Sequence, residues 1–98
     1  MSETITDQSL QLLSRQIGEL LSKNNWMLAT AESCTGGWLA KIITDIPGSS
    51  SWFDRGFVTY TNLSKQEMLG VTSKTLEAYG AVSDATVREM SLGANIRL

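Results

Sequence analysis

The sequence predicts a layered α/β fold, and three observations carry that expectation. Segments with helical apolar spacing alternate with short apolar runs bounded by turn residues, the order expected of strands laid between helices. The stretch Ala29-Thr30-Ala31-Glu32-Ser33-Cys34-Thr35-Gly36-Gly37-Trp38 reads as the end of a strand, a tight polar turn and the opening of a helix. Glycine, proline or asparagine stands at most of the junctions, where such residues stop helices and form turns.

Taken in order, Leu10, Leu13, Ile17, Leu20 and Leu21 share one helical face, which predicts a first helix from about Asp7 to Lys23, read as covering one side of a sheet in preference to binding a partner. Thr6 or Asp7 is the candidate cap and Asn24-Asn25 the stop. Trp26–Ala31 is the first strand. A second helix carries Trp38, Leu39, Ile42, Ile43 and Ile46 and is stopped by Pro47-Gly48. Ser49-Ser50-Ser51 follows as a polar loop, and Trp52-Phe53 reads as a contribution to the core in preference to a pocket lining. Gly56–Tyr60, rich in aromatic and β-branched residues, is the second strand. Asn62 is expected to cap a helix from Leu63 to Leu69 that stops at Gly70. Ser73 opens another helix that ends at Gly80, and Ser83 caps a last one in which Val87, Met90, Ala94 and Leu98 share a face.

The chain has 98 residues, 42% hydrophobic and 18% charged, the composition of one globular domain with a modest core. A net charge of −2 with no run of Lys or Arg argues against an extended phosphate backbone as partner, so no nucleic acid is expected. Met1-Ser2-Glu3-Thr4-Ile5-Thr6 lacks the basic and apolar regions of a signal peptide, and no apolar run is long enough for a membrane span. Cys34 is the single cysteine, so no intramolecular disulfide is expected; a cytoplasmic location fits these features. No histidine is present, which excludes Ser-His-Asp and Cys-His arrangements within the chain and His-ligated zinc.

The chemistry then falls on few residues. Ser33 is the candidate nucleophile, set where the first turn of a helix would offer free N–H groups to an anion or a developing oxyanion. Without histidine, a lysine is the available base, and Lys65 is the best placed. A cation in the first turn of a helix opposes the helix dipole, a poor choice for stability alone. Tyr60, at the end of its strand, is placed to relay a proton or to hydrogen-bond the nucleophile. Each residue also has a plain structural reading: Ser33 as a helix cap, Lys65 as a solvated surface residue, Tyr60 as part of the core. Cys34 is a rival nucleophile or a small packed residue, and Glu32 is a lone carboxylate for a metal or a substrate hydroxyl. Ser49, Ser50 and Ser51, three hydroxyls beside Gly48, are either a phosphate-binding loop or a solvated turn. Neither G-x-x-x-x-G-K-[ST] nor G-x-G-x-x-G nor G-x-S-x-G occurs.

Thr30-Ala31-Glu32-Ser33-Cys34-Thr35-Gly36-Gly37 resembles the signature of the CinA C-terminal domain family, the nicotinamide-nucleotide amidohydrolases. The likeness continues through Thr44-Asp45-Ile46-Pro47-Gly48-Ser49-Ser50, Gly56-Phe57-Val58-Thr59-Tyr60-Thr61-Asn62, Lys65, Leu69-Gly70-Val71 and Tyr79-Gly80-Ala81-Val82-Ser83, and so covers nearly the whole chain. It implies an α/β/α sandwich and hydrolysis of nicotinamide mononucleotide to nicotinic acid mononucleotide and ammonia, in pyridine-nucleotide salvage, with no metal or other cofactor. It further implies Ser33 as nucleophile, Tyr60 and Lys65 as its assistants, and Thr35, Gly36 and Gly37 as the lining of the substrate site; Glu32, Ser49, Ser50 and Asn62 complete the expected substrate-binding set.

Two strands fall short of the about four to six of a stable sheet. The expected sandwich is therefore incomplete, the N-terminal portion of a longer domain or one completed by another chain, and a homo-oligomer is expected. The resemblance implies further strands and a glycine-rich loop in the part that would follow. The alternative to an enzyme is an inactive remnant or a binding module that folds with a partner.

Overall fold

The computed structural model describes residues 4–98; Met1-Ser2-Glu3, part of the stretch read for a leader, lies outside them. The element order is α1 (Asp7–Lys23), β1 (Leu28–Glu32), α2 (Trp38–Thr44), a 3-10 turn (Ser49–Ser51), β2 (Phe53–Val58), α3 (Asn62–Leu69), α4 (Ser73–Tyr79) and α5 (Asp84–Arg97). The α/β class predicted from the alternation of elements is the class observed. β1 and β2 run parallel, with Leu28 opposite Phe53 at one end and Glu32 opposite Val58 at the other. Helices on both faces connect and cover them, as a parallel pair requires.

Side-chain alternation along the strands assigns the layers. Ala29, Ala31 and Phe57 face Leu69, Val71, Met90 and Ala94, which form the core under α3, α4 and α5. Thr30, Glu32 and Val58 point the other way, towards α2. Two close approaches fix the helices. A Cβ on Gly93 of α5 would lie 1.9 Å from the Leu69 carbonyl oxygen, and one on Gly18 of α1 would lie 2.4 Å from the Trp52 ring. Trp52 is 5% exposed, in keeping with its predicted core role.

Several boundaries differ from expectation, each for a local reason. β1 begins at Leu28 and not at Trp26, because Asn25 takes a left-handed φ of 55° and Trp26 donates its N–H back to Leu21. β2 begins at Phe53 and ends at Val58: its pairing with Leu28 brings the Trp52 end into the ladder, and Tyr60 lies beyond it. α2 stops at Thr44, before Ile46 and Pro47, yet Ile46 is still buried. α3 is capped by Thr61 and not by Asn62; Thr61 Oγ1 accepts from the Ser64 N–H while Ser64 Oγ accepts from the Thr61 N–H. Thr6 and Ser9 make the same reciprocal box at α1.

The apolar stripe of α1 departs furthest. Ser14 and Gly18 are the residues buried in this helix, whereas Leu13, Ile17 and Leu20 are 52%, 40% and 62% exposed. Leu10, Leu13 and Ile17 border an open cleft of about 1080 Å³ that runs along β1 and is closed on its far side by Met90, Ala94 and Leu98 of the last segment. Of the apolar face predicted for α5, Met90 and Ala94 are buried, while Val87 and Leu98 look into this cleft. Among the described residues, no helix is long and apolar enough to cross a membrane.

Candidate active site

The site lies at the carboxyl end of the parallel pair, where the chain leaves β1 at Ser33 and β2 at Thr59. Parallel strands present these two exits side by side. The Thr59 N–H donates to the Glu32 carbonyl at 2.8 Å, so the residue preceding Ser33 and the residue preceding Tyr60 are bonded directly. Open α/β sheets hold their ligands at this end of the strands.

α3 then returns Lys65 to the same place. Lys65 is 2% exposed, and its Nζ lies 3.0 Å from Ser33 Oγ, 2.9 Å from the Thr59 carbonyl oxygen and 3.3 Å from the Tyr60 carbonyl oxygen. No carboxylate pairs with it among the described residues. Three oxygens around one nitrogen satisfy either protonation state. An ammonium donates to all three; a free amine donates to the two carbonyls and turns its lone pair to the Ser33 hydroxyl. The second arrangement is that of a base poised on a nucleophile. A solvated surface lysine is thereby excluded. Ser33 itself is half-buried and caps nothing, because α2 begins at Trp38 with Gly37 as its N-cap.

Sequence reasoning missed Thr59, which is fully buried. Its carbonyl anchors Lys65 and its N–H anchors Glu32, and a backbone role of this kind leaves no mark on side-chain type. Tyr60 contributes differently from expectation. Its carbonyl holds Lys65, whereas its side chain is 74% exposed and the phenol makes no hydrogen bond among the described residues. The structure brings Ser33 and Lys65 together, but not the phenol with either.

Glu32 is also used differently. Its carboxylate is 4% exposed and accepts from Thr35 Oγ1 at 2.7 Å, from the Leu39 N–H at 2.8 Å and from the Ala40 N–H at 3.0 Å. Burial opposes ionisation, but the Ala40 N–H, the Thr35 hydroxyl and the N–H groups of Leu39 and Gly37 outweigh it and hold the carboxyl below the usual carboxylate range. With both oxygens engaged, Glu32 is an internal cap for α2 and not a free ligand. Among the described residues, no group of three or more His, Cys, Asp or Glu side chains could hold a metal ion.

This cap also corrects the expected oxyanion site. The N–H groups of Leu39 and Ala40 are taken by Glu32, so the first turn of α2 does not offer them to a ligand. Within the turn, Gly36 donates to the Ser33 carbonyl and Trp38 to the Thr35 carbonyl. The N–H groups of Cys34 and Thr35 make no hydrogen bond to another described residue. Gly36 and Gly37 have φ of 62° and 102°, a left-handed pair that few residues other than glycine adopt in succession. Cys34 is exposed, not packed.

Asn62 is exposed at the start of α3, near the exit of β2. Ser49 and Ser50 lie elsewhere. They precede β2, so the length of the strand separates them from Ser33, about 16 Å for five residues at about 3.3 Å each. Ser49 is buried beside Trp52. Parallel pairing puts the serine loop at the opposite end of the sheet from Ser33, which the order of residues alone did not reveal.

Fold and site together define a class: an α/β domain that presents a serine hydroxyl to a buried lysine at the carboxyl end of parallel strands. Within that class the chain belongs to the CinA C-terminal domain family, whose model matches residues 10–98. Over 90 residues it is 56% identical to nicotinamide-nucleotide amidohydrolase PncC of Escherichia coli (strain K12), an alignment covering 92% of this chain and 54% of that protein. It is 54% identical over 81 residues to a CinA-like protein of Chloroherpeton thalassium, covering 83% of this chain and 19% of the relative. The chain thus spans about half the length of the PncC proteins it matches. Among solved structures, a CinA superfamily protein from Escherichia coli superposes with a TM-score of 0.91 at 35% identity, over 99% of this chain and 56% of that one. The competence/damage inducible protein CihA from Agrobacterium tumefaciens does so with a TM-score of 0.88 at 47% identity, over 99% and 58%.

Proposed function

We propose that this chain carries the nucleophile and base of an amidohydrolase that converts nicotinamide mononucleotide to nicotinic acid mononucleotide and ammonia. The observation that carries the reading is the 3.0 Å contact between Ser33 Oγ and the buried Nζ of Lys65. The substrate class is supported by relatives named nicotinamide-nucleotide amidohydrolase at 56% identity.

In the proposed reaction the Lys65 amine takes the Ser33 proton as Oγ bonds to the carboxamide carbon. The carbonyl oxygen becomes an oxyanion, for which the unengaged N–H groups of Cys34 and Thr35 are the proposed donors. Collapse of this intermediate breaks the C–N bond, and the Lys65 ammonium returns its proton to the departing nitrogen, which leaves as ammonia. Water then attacks the resulting ester, giving its proton to Lys65; the acid departs and the proton goes back to Ser33 Oγ. Thr59 and Tyr60 hold the amine through their carbonyls, and the exposed phenol of Tyr60 is left to meet the substrate. Thr35, Gly36, Gly37 and Asn62 complete the proposed binding surface.

The proposed setting is pyridine-nucleotide salvage in the cytoplasm, with the protein as a homo-oligomer. Ammonia release from nicotinamide mononucleotide by the purified protein, compared with Ser33→Ala, tests the reading. Turnover lost in the variant supports it; equal turnover in both removes Ser33 from the mechanism.

A further inference from the structure

We propose that Glu32 is a positioning residue for the nucleophile: its buried carboxylate locks the Ser33–Gly37 turn onto α2 and thereby aims the Ser33 hydroxyl at Lys65. The proposal rests on the Ser33–Lys65 reading above and adds a residue that does not touch substrate.

Three observations carry it. First, α2 has glycine at its N-cap and so no side-chain cap of its own; the carboxylate of Glu32, from the end of β1, reaches over the turn to bind the Leu39 and Ala40 N–H groups instead. Second, the turn between them contains Gly36 and Gly37 in left-handed conformations, and glycine gives a chain its largest conformational freedom. Thr35 Oγ1, donating to the same carboxylate at 2.7 Å, pins the middle of that turn. Third, the Glu32 carbonyl accepts the Thr59 N–H at 2.8 Å, and the Thr59 carbonyl lies 2.9 Å from Lys65 Nζ. One residue therefore holds the segment that carries the nucleophile through its side chain and the segment that anchors the base through its backbone.

An ionised carboxylate only accepts hydrogen bonds, which suits three donors converging on it. In Glu32→Gln one side-chain NH₂ would face a donor, so the turn would lose at least one tether and Ser33 its fixed direction. A displacement of about 1 Å at a reacting group costs on the order of a hundredfold in rate.

The test uses phenylmethanesulfonyl fluoride on the purified protein, followed by intact mass. Ser33 Oγ bonds to sulfur, the S–F bond breaks and fluoride leaves, while Lys65 takes the proton. Wild-type protein is expected to gain one adduct, which Ser33→Ala does not. In Glu32→Gln the maximal labelling rate is expected to fall about 10- to 100-fold, with the half-saturating concentration of reagent within about twofold. Thr35→Val, at an exposed position, is expected to fall in the same way by about tenfold. Thr35→Ser, which keeps the hydroxyl, is expected to restore the rate to within about threefold of wild type. The Thr35 pair decides the matter should Glu32→Gln fail to fold. No adduct on the wild-type protein overturns the Ser33–Lys65 reading and this proposal with it. An adduct formed at wild-type rate in Glu32→Gln or Thr35→Val, or a Thr35→Ser as slow as Thr35→Val, overturns the positioning role alone.

Discussion

Replacing Lys65 by methionine asks the most of the proposed mechanism. The substitution keeps an unbranched chain of similar length in a site only 2% exposed and deletes the single nitrogen that contacts Ser33 Oγ, the Thr59 carbonyl and the Tyr60 carbonyl. Two effects follow, and their sizes separate them. The carbonyl of the fully buried Thr59 loses a partner at 2.9 Å, whereas that of Tyr60, on an exposed residue, loses a longer contact at 3.3 Å. A buried acceptor left without a donor costs about 1–3 kcal/mol, and nearly all of that falls on Thr59. Loss of the base, by contrast, costs on the order of 10²–10⁴ in rate. Urea unfolding of Lys65→Met should therefore show a modest drop in midpoint, while ammonia release from nicotinamide mononucleotide by the folded variant falls by at least about a hundredfold. Activity within about threefold of wild type would refute the reasoning, since the buried amine would then be serving only the two carbonyls.

Other expectations follow from named contacts. Gly93→Ala places a Cβ 1.9 Å from the backbone oxygen of Leu69, so α5 must lift off α3; a loss of about 3 kcal/mol or more in urea unfolding is expected, and a loss below about 1 kcal/mol would mean the helices are not in this contact. Thr61→Ala removes the reciprocal cap of the helix that carries Lys65 and should cost about 1 kcal/mol by the same measurement. Because the Glu32 carboxyl titrates below its usual range when folded, its contribution to stability is present above the ordinary glutamate pKa near 4.5 and is lost as the pH falls through the folded value. The acid limb of a stability–pH curve should accordingly be shallower in Glu32→Gln, and an unchanged limb would remove Glu32 as its source. Ser50→Ala, at the far end of the sheet from Ser33, should leave the KM for nicotinamide mononucleotide within about twofold of wild type, in keeping with the small effect of surface substitutions away from a site.

The chain by itself determined what local rules can determine. Apolar spacing over Leu10–Leu21, the Gly70 and Gly80 stops and the hydroxyl cap at Ser83 all depend on neighbours within a turn or two, and the helices stand where those signals put them. The absence of histidine and the polar turn after the first strand named Ser33 and Lys65 as candidates but left a helix cap and a surface lysine as open readings; the fold brought the two side chains within 3.0 Å. Tertiary structure decided the remainder. Parallel pairing of Leu28–Glu32 with Phe53–Val58 brought Thr59 to Glu32 and sent Ser49 and Ser50 to the other end of the sheet. Register between distant segments has no local signature, and neither does a role carried by a backbone carbonyl. Glu32 was visible as a carboxylate, but its three donors come from residues 35, 39 and 40, gathered by a turn whose two glycines adopt left-handed angles. The stripe on α1 was equally legible as a pattern, yet what it faces is a cleft along β1, because a periodicity names the apolar side of a helix and not the surface opposite it.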